Sequence, residues 1–277
     1  MATMRKLEEV LHSGEGKIRL RGVSRSFVTA QGPLQALEGI DLDVHAGEFI
    51  CIVGPSGCGK STLLNLVAGL DRCTAGEIWT DGHRVEGPSS NRLLIFQELG
   101  LFPWLTVREN VEFGLRRRGV LRQECVERAR RVLRLVHLGG FENSYLHQLS
   151  GGMKQRVALA RSLVMEPEVL LMDEPFAALD AQTRDLLHQE LERLWVDTGQ
   201  TIVFVTHNVR EAVRLGDRVV VMTFRPGRIK CQFEITLPRP RTLEDPALTL
   251  VARSVLDQLK EEINKAVKTE FRDETTA

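Results

Sequence analysis

Phe49-Ile50-Cys51-Ile52-Val53 runs without a break into Gly54-Pro55-Ser56-Gly57-Cys58-Gly59-Lys60-Ser61, and a helical pattern follows to Leu70. The first five residues are apolar and rich in β-branched side chains, as a strand buried on both faces requires. The next eight satisfy G-x-x-x-x-G-K-[ST]. Glycines let a backbone wrap a phosphate chain, with N–H groups and a helix N-terminus pointing inward. Lys60 then reaches the β- and γ-phosphates, and the Ser61 hydroxyl can ligate Mg²⁺. A chance match in a chain of this length has a probability of roughly 1%. The alternative, a glycine-rich turn with an incidental lysine, fits poorly between a buried strand and a helix.

Outward from this point the chain alternates in character. Residues 18–30 and 34–53 read as strands and turns. Thr106-Val107-Arg108-Glu109 fits a capping box, and the helix it opens reaches about Arg118, with Gly119 as its stop. A second helix, about 122–138, is expected to bury Val126, Ala129, Leu133 and Val136 and to end at Gly139-Gly140. A third begins near Ser150 and ends before Pro167. Roughly residues 98–160 therefore read as a helical insert between β-rich segments.

Strand-helix alternation then returns. Val169-Leu170-Leu171-Met172 is a short apolar strand, and 181–197 is a helix with Leu187, Leu191, Leu194 and Trp195 on one face. Residues 201–205 and 218–222 are further strands around a short helix at 208–215. This order predicts an α/β fold with a mostly parallel sheet and helices on its faces. Arg225-Pro226-Gly227 is a turn joining two strands, and Pro238-Arg239-Pro240 marks a boundary. Beyond it Val251, Val255, Leu259, Ile263 and Val267 recur every four residues, giving an amphipathic C-terminal helix. The polar residues 269–277 are expected to fray.

Composition narrows the class. The 277 residues are 43% hydrophobic and 27% charged, enough for an ordinary core and incompatible with general disorder. Lys+Arg and Asp+Glu both number 37, which argues against a surface built to hold nucleic acid. No apolar run approaches the ~18 residues of a membrane span, and residues 1–17 lack the apolar stretch of a signal peptide. The five cysteines contain no C-x-x-C pair, so reduced thiols in a soluble cytoplasmic chain are expected. Cys58 needs only to be small and neutral, although a thiol at a helix N-terminus also suits a redox role. His12, His45, His83, His137, His147 and His188 lack ligand spacing and read as surface or packing residues.

Two further motifs carry chemistry. The strand at 169–172 ends in Asp173-Glu174; in P-loop proteins such an aspartate helps hold Mg²⁺, and Glu174 is placed to orient or deprotonate an attacking water. Leu149-Ser150-Gly151-Gly152-Met153-Lys154-Gln155-Arg156 puts two glycines in a first helical turn, at a cost of roughly 1 kcal/mol each. Ser150 as an N-cap explains part of this. Bare backbone N–H groups at a helix N-terminus also suit an anion, and the chain already has one phosphate loop.

L-S-G-G-M-K-Q-R between a P-loop and an hhhhDE strand resembles the signature of ABC-type ATPases. The resemblance covers roughly residues 18–235 and implies a P-loop core with an N-terminal antiparallel β subdomain and an inserted helical subdomain. It implies ATP and Mg²⁺ as ligands. Residues 54–61, with Thr62, would hold the phosphates, and Ser61, Gln97 and Asp173 the metal. Gln97, in Ile95-Phe96-Gln97, matches the glutamine loop. Ala178-Leu179-Asp180 matches the D-loop, and His207 the switch histidine. Phe27 matches the aromatic that stacks on adenine. Lys60, Gln97, Glu174 and His207 would serve catalysis. Two cassettes of this family pair head to tail, so that the signature, with Ser150, Gly151 and Gly152, of one chain faces the γ-phosphate on the other; Asp180 of the D-loop would also contribute to nucleotide binding.

The segments 174–184, 205–212, 225–229 and 237–241 are similar to those of nitrate, sulfonate, taurine and bicarbonate importer cassettes. This implies a homodimer or paired cassette on permease subunits at the cytoplasmic face of the inner membrane. A periplasmic or extracellular solute-binding protein would take part indirectly. It also implies an ATPase domain at 18–240 and a helical extension at 241–277. Cassettes for polyamines, sugars or molybdate share much of the pattern. Soluble non-transport ABC ATPases form a further class, less compatible with one cassette and zero net charge. Leu101-Phe102-Pro103-Trp104, just after Gln97, is either a docking surface for a permease helix or part of the core.

Overall fold

The computed structural model describes residues 16–30, 32–177, 179–242 and 244–274. Residues 1–15 (with His12), Ala178 of the D-loop pattern and the last three residues of the tail lie outside them. The chain divides into two compact units, one from Met1–Ser89 with Gly199–Ala277 and the other from Ser90–Thr198. Among the described residues no helix is long and apolar enough to cross a membrane.

In chain order, the first unit begins with β1 (Ile18–Thr29), β2 (Gly32–Val44), β3 (Phe49–Val53), α1 (Lys60–Ala68), β4 (Ala75–Thr80) and β5 (His83–Arg84). The second unit holds β6 (Arg92–Ile95), α2 (Val107–Arg117), α3 (Arg122–Leu135), α4 (Gly151–Leu163), β7 (Val169–Asp173) and α5 (Ala181–Thr198). The first unit resumes with β8 (Thr201–Val205), α6 (Val209–Leu215), β9 (Arg218–Met222), β10 (Ile229–Glu234) and α7 (Pro246–Glu274).

In the first unit β2, β1, β4 and β5 form an antiparallel sheet. Beside it β3 lies between β8 and β9, parallel to both, and β10 pairs antiparallel with β9. Every residue of β3 and β8 is buried, which is why both read as unbroken apolar runs. The expected α/β class, with parallel strands and an antiparallel β subdomain, is the observed one.

In the second unit α2, α3 and α4 pack on one another, and α4 packs on β6, which runs parallel to β7. The capping box at the start of α2 forms as read: Thr106 N–H donates to Glu109 Oε2 at 2.9 Å, and Glu109 N–H to Thr106 Oγ1 at 3.3 Å. Arg116 pairs with the buried Glu112, and Arg118 donates to the Ser90 and Met165 carbonyls. Arg116 and Arg118 are thus tied to their own unit at an exposed helix end.

Five expectations need correction. The second helix stops at Leu135 rather than 138, because His137 takes a left-handed φ of 54°. Leu138 N–H then returns to Leu133 O and His137 N–H to Arg134 O, a Schellman closure that leaves Gly139 outside. Ala129, Leu133 and Val136 are buried as expected, whereas Val126 is only half-buried and Cys125 and Val132 complete the packed face. On α5, His188 and Glu192 are buried with Leu187, Leu191 and Trp195, while Leu194 is half-buried.

The C-terminal helix continues through 269–274, where fraying was expected. Its buried residues are Leu248, Ala252, Val255, Leu259, Glu262 and Ala266, while Ile263 and Val267 are 39% and 41% exposed. A strict four-residue repeat drifts around a 3.6-residue helix, so the stripe that starts at Val251 leaves the packed face after three turns. α7 packs on α6 and β9 of its own unit.

Candidate functional site

The phosphate loop is built by close approach. Gly57 and Gly59 take φ of 71° and 98°, and a Cβ on Gly59 would stand 2.7 Å from Leu37 Cδ2. A Cβ on Gly54 would stand 2.7 Å from Cys58 Sγ. α1 begins after Gly59 with no side chain capping its first N–H groups. An uncapped helix start at the mouth of a glycine loop fits a phosphate chain. Lys60, 7% exposed, donates from Nζ to the Gly54 and Pro55 carbonyls at 2.9 Å each. Those bonds hold the ammonium inside the loop, where phosphate oxygens would replace the carbonyls.

Cys58 is fully buried, and burial pushes its thiol above the ordinary value despite the nearby Lys60. A raised pKa and a closed site disfavour thiolate chemistry, so the residue acts as a small packing element.

The same end of this sheet carries His207. β8 runs parallel to β3 in the register Val205↔Ile52, and Thr206 N–H donates to Ile52 O at 3.2 Å. The chain thus leaves both strands at one edge, into the phosphate loop from β3 and into exposed His207 from β8. The turn under His207 is tightly made. Thr206, 2% exposed, bonds to Glu211 and accepts from Asn208 N–H at 3.0 Å, while Asn208 caps α6 through Arg210 and Glu211 N–H. Thr206 and Glu211 were not among the site residues read from the sequence; the Asn-x-x-Glu cap was the available signal. On β1, Arg25 lies 4.5 Å over the ring of half-buried Phe27 and pairs with Asp71 at 2.9 Å.

In the second unit β6 and β7 are parallel with Ile95 opposite Met172. Gln97 and the Asp173-Glu174 pair therefore leave the sheet at one edge. Asp173 is 9% exposed, and Glu174 holds a left-handed φ of 46°, a backbone state that costs a non-glycine residue free energy and gathers at functional sites. The loop after Gln97 is pinned by side chains. Arg161 donates to Leu99 O at 2.8 Å and Gly100 O at 2.7 Å. Asn110, fully buried, exchanges hydrogen bonds with Phe102 and also donates to Leu105 O and Thr106 O. On that scaffold Trp104 is 70% exposed, its ring 5.5 Å from Phe102. The core alternative for Trp104 is excluded.

Ser150 caps α4 by accepting from Met153 N–H at 3.3 Å. Around Gly151 a Cβ would meet nothing within 4 Å, and around Gly152 only Leu179 Cδ2 at 3.0 Å. Asp180 accepts from Thr183 N–H at 2.9 Å, and that bond holds its carboxyl below the ordinary value.

A family model described as ABC transporter matches residues 37–177. The chain belongs to the ABC transporter ATP-binding family. It is 46% identical over 96% of its length to an uncharacterised ABC transporter ATP-binding protein of Methanocaldococcus jannaschii, and covers 100% of it. It is 49% identical to a nitrate import ATP-binding protein of Synechocystis sp., covering 83% of that protein with 80% of this chain. With an aliphatic sulfonates import ATP-binding protein of Bacillus cereus the identity is 43%, over 88% of this chain and 96% of the relative. Among solved structures, a dimeric ATP-binding cassette in a post-hydrolysis state, bound to ADP and Pi, aligns with a TM-score of 0.73. That match is 34% identical and covers 80% of this chain and 100% of the cassette. As an ABC cassette the chain is a P-loop ATPase.

Proposed function

We propose that this ABC ATPase is the motor of an importer, paired with a second cassette and seated on permease subunits at the cytoplasmic face of the inner membrane. Phosphoryl transfer asks for positioning and charge neutralisation more than for covalent help. Residues 54–62 would cradle the ATP phosphates, Lys60 would meet the β- and γ-oxygens, and Phe27 would carry the adenine. Ser61, Gln97 and Asp173 have the oxygen donors that Mg²⁺ requires, and the ion when bound would offset the phosphate charge. Glu174 would orient the attacking water and His207 sense the γ-phosphate. Ser150, Gly151, Gly152 and Asp180 would face the partner cassette's nucleotide. The ATPase domain would comprise 18–240, with the insert at about 98–160, and the helical extension 241–277. The names of the relatives support a small anion such as nitrate, sulfonate, taurine or bicarbonate as solute, delivered by an extracytoplasmic binding protein.

One observation carries the permease reading: Trp104 stands 70% exposed on a loop fixed by Asn110 and Arg161. A rigid aromatic anchor of this kind often contributes ~2 kcal/mol or more to an interface. Trp104→Ala should therefore bind ATP and melt like the parent, while its cosedimentation with permease-containing membranes weakens about tenfold or more. Unchanged cosedimentation would remove Trp104 from docking.

A further inference from the structure

We propose that Arg225 is a positioning residue for ATP binding and that the C-terminal helix holds it in place through Glu262. The proposal rests on the phosphate loop binding ATP and adds what keeps that loop in shape.

The turn between β9 and β10 leans on the outer wall of the loop. Arg225 Nε donates to Gly57 O at 2.8 Å, and its Nη2 stands 2.8 Å from where a Cβ on Gly57 would be. Two residues on, Gly227 lies so close that a Cβ would fall 2.1 Å from Cys58 O. Gly227 also donates to Ala36 O at 2.9 Å and accepts from Glu38 N–H at 3.0 Å, tying the turn to β2. A trans peptide sets its C=O and N–H on opposite sides. An Arg225 bond that holds the Gly57 carbonyl outward therefore holds Cys58 N–H inward, where it meets Pro55 O at a long 3.4 Å. Long bonds of that kind are readily exchanged for a phosphate oxygen.

The turn is in turn fastened to α7. Phe224 N–H, next to Arg225, donates to Glu262 Oε2 at 3.0 Å. Glu262 is 1% exposed and is held by Lys265 Nζ at 2.7 Å and Lys230 Nζ at 3.2 Å. Lys230 also donates to Gln258 O at 3.0 Å and pairs with Glu261. A buried carboxylate with two cations and a backbone N–H has strong reason to stay where it is. The chain Glu262, Phe224, Arg225, Gly57 thus runs from the last helix to the phosphate loop inside one unit.

The test uses the full chain, with a fluorescent ATP analogue titrated well below the unfolding temperature and hydrogen exchange followed over residues 54–60 without nucleotide. Arg225→Ala should weaken binding about 5- to 10-fold, the scale of one charge-assisted hydrogen bond, and speed exchange in the loop. Turnover at saturating ATP should stay within about twofold, so the change falls on KM. Arg225→Lys, which keeps a cationic donor, should recover most of the affinity. Glu262→Leu should act in the same direction, and the double variant should bind no more weakly than Arg225→Ala alone. Should Glu262→Leu not fold, Glu262→Gln keeps the volume, weakens the grip on Phe224 N–H, and should cost about twofold. Arg228→Ala, on the same turn but paired outward with Glu38, should bind like the parent. Parental affinity and exchange in Arg225→Ala would overturn the proposal, as would an equal loss in Arg228→Ala. Full additivity in the double variant would cut α7 out of it. A parent chain that failed to bind ATP would instead defeat the nucleotide reading itself.

Discussion

Two helices of this protein start next to glycines, and they are finished differently. α1 follows Gly59 with no side-chain cap, beneath a loop whose lysine is buried and satisfied by two carbonyls of the same loop. α4 follows Ser150, which occupies one N–H, while Gly151 looks into space in which even a methyl group would meet nothing. The first N-terminus is closely walled by its own unit, with Leu37, Met222 and Arg225 against its glycines. The second is a prepared surface without walls. Glycine thus serves two ends: under the proposed function the first would receive a ligand and the second would contribute to a site completed by a partner.

The largest effects should separate these two ends. Lys60→Ala should lose ATP binding by about 100-fold or more, since under the proposed role it removes the cation that would meet the β- and γ-phosphates. Gly152→Asp should leave ATP binding by the single chain intact, because the phosphate loop is untouched, yet slow turnover at least ~100-fold by setting a carboxylate against phosphate. Glu174→Gln should match that loss of turnover while accumulating a dimer visible by gel filtration. ATP titration, phosphate release and chromatography read all three. Loss of binding in the Gly152 variant would mean that the signature serves the phosphates of its own chain.

A medium effect should come from adding one methyl group at each end. Gly59→Ala meets Leu37 Cδ2 at 2.7 Å and a left-handed φ, so it should cost more than ~1 kcal/mol of stability and most of the ATP affinity. Gly151→Ala, in open space on a helix, should leave affinity unchanged and gain about 0.5 kcal/mol. Urea unfolding with ATP titration compares them.

The smallest effect concerns caps. Thr106→Ala removes a reciprocal box and should cost ~1–2 kcal/mol; Ser150→Ala removes one 3.3 Å bond and should cost roughly half as much. The box also titrates. Hydrogen bonds from Thr106 N–H and Oγ1 hold the Glu109 carboxyl below its ordinary value of 4.5. A depressed folded-state pKa gives stability that is present above the unfolded value and lost as pH falls through the folded one. The parent should therefore lose this increment below about pH 4.5, and Thr106→Ala should show less of that loss in unfolding curves.

What the sequence disclosed follows the range of the interactions. The phosphate loop, the Thr106 box and the Ser150 cap each sit within eight consecutive residues, and each formed as read. On α3, Ala129, Leu133 and Val136 are buried as read and only Val126 gives way to Cys125, because periodicity defines the angle of a stripe only to about one residue. Along α7 the four-residue repeat drifted off the packed face. The left-handed Glu174 leaves no trace in composition, since glutamate has no preference for that state. Contacts such as Arg225 to Gly57, separated by 168 positions, come from topology that no local pattern encodes.

The split of the first unit around Ser90–Thr198 has a consequence for biosynthesis. β3 is made early, yet both of its parallel neighbours, β8 and β9, lie beyond residue 199. At ~5–20 residues per second on the ribosome, Phe49–Val53 waits on the order of ten seconds or more for strands to pair with. Throughout that interval a five-residue, wholly apolar strand has both edges open, the kind of segment that draws aggregation and chaperones. Ser90–Thr198 is synthesised as one continuous stretch, and its own parallel pair, β6 with β7, closes after a shorter wait. Nascent-chain aggregation should therefore be decided by how long the intervening unit takes to translate, and rare codons within it would be felt in a strand already made well before them.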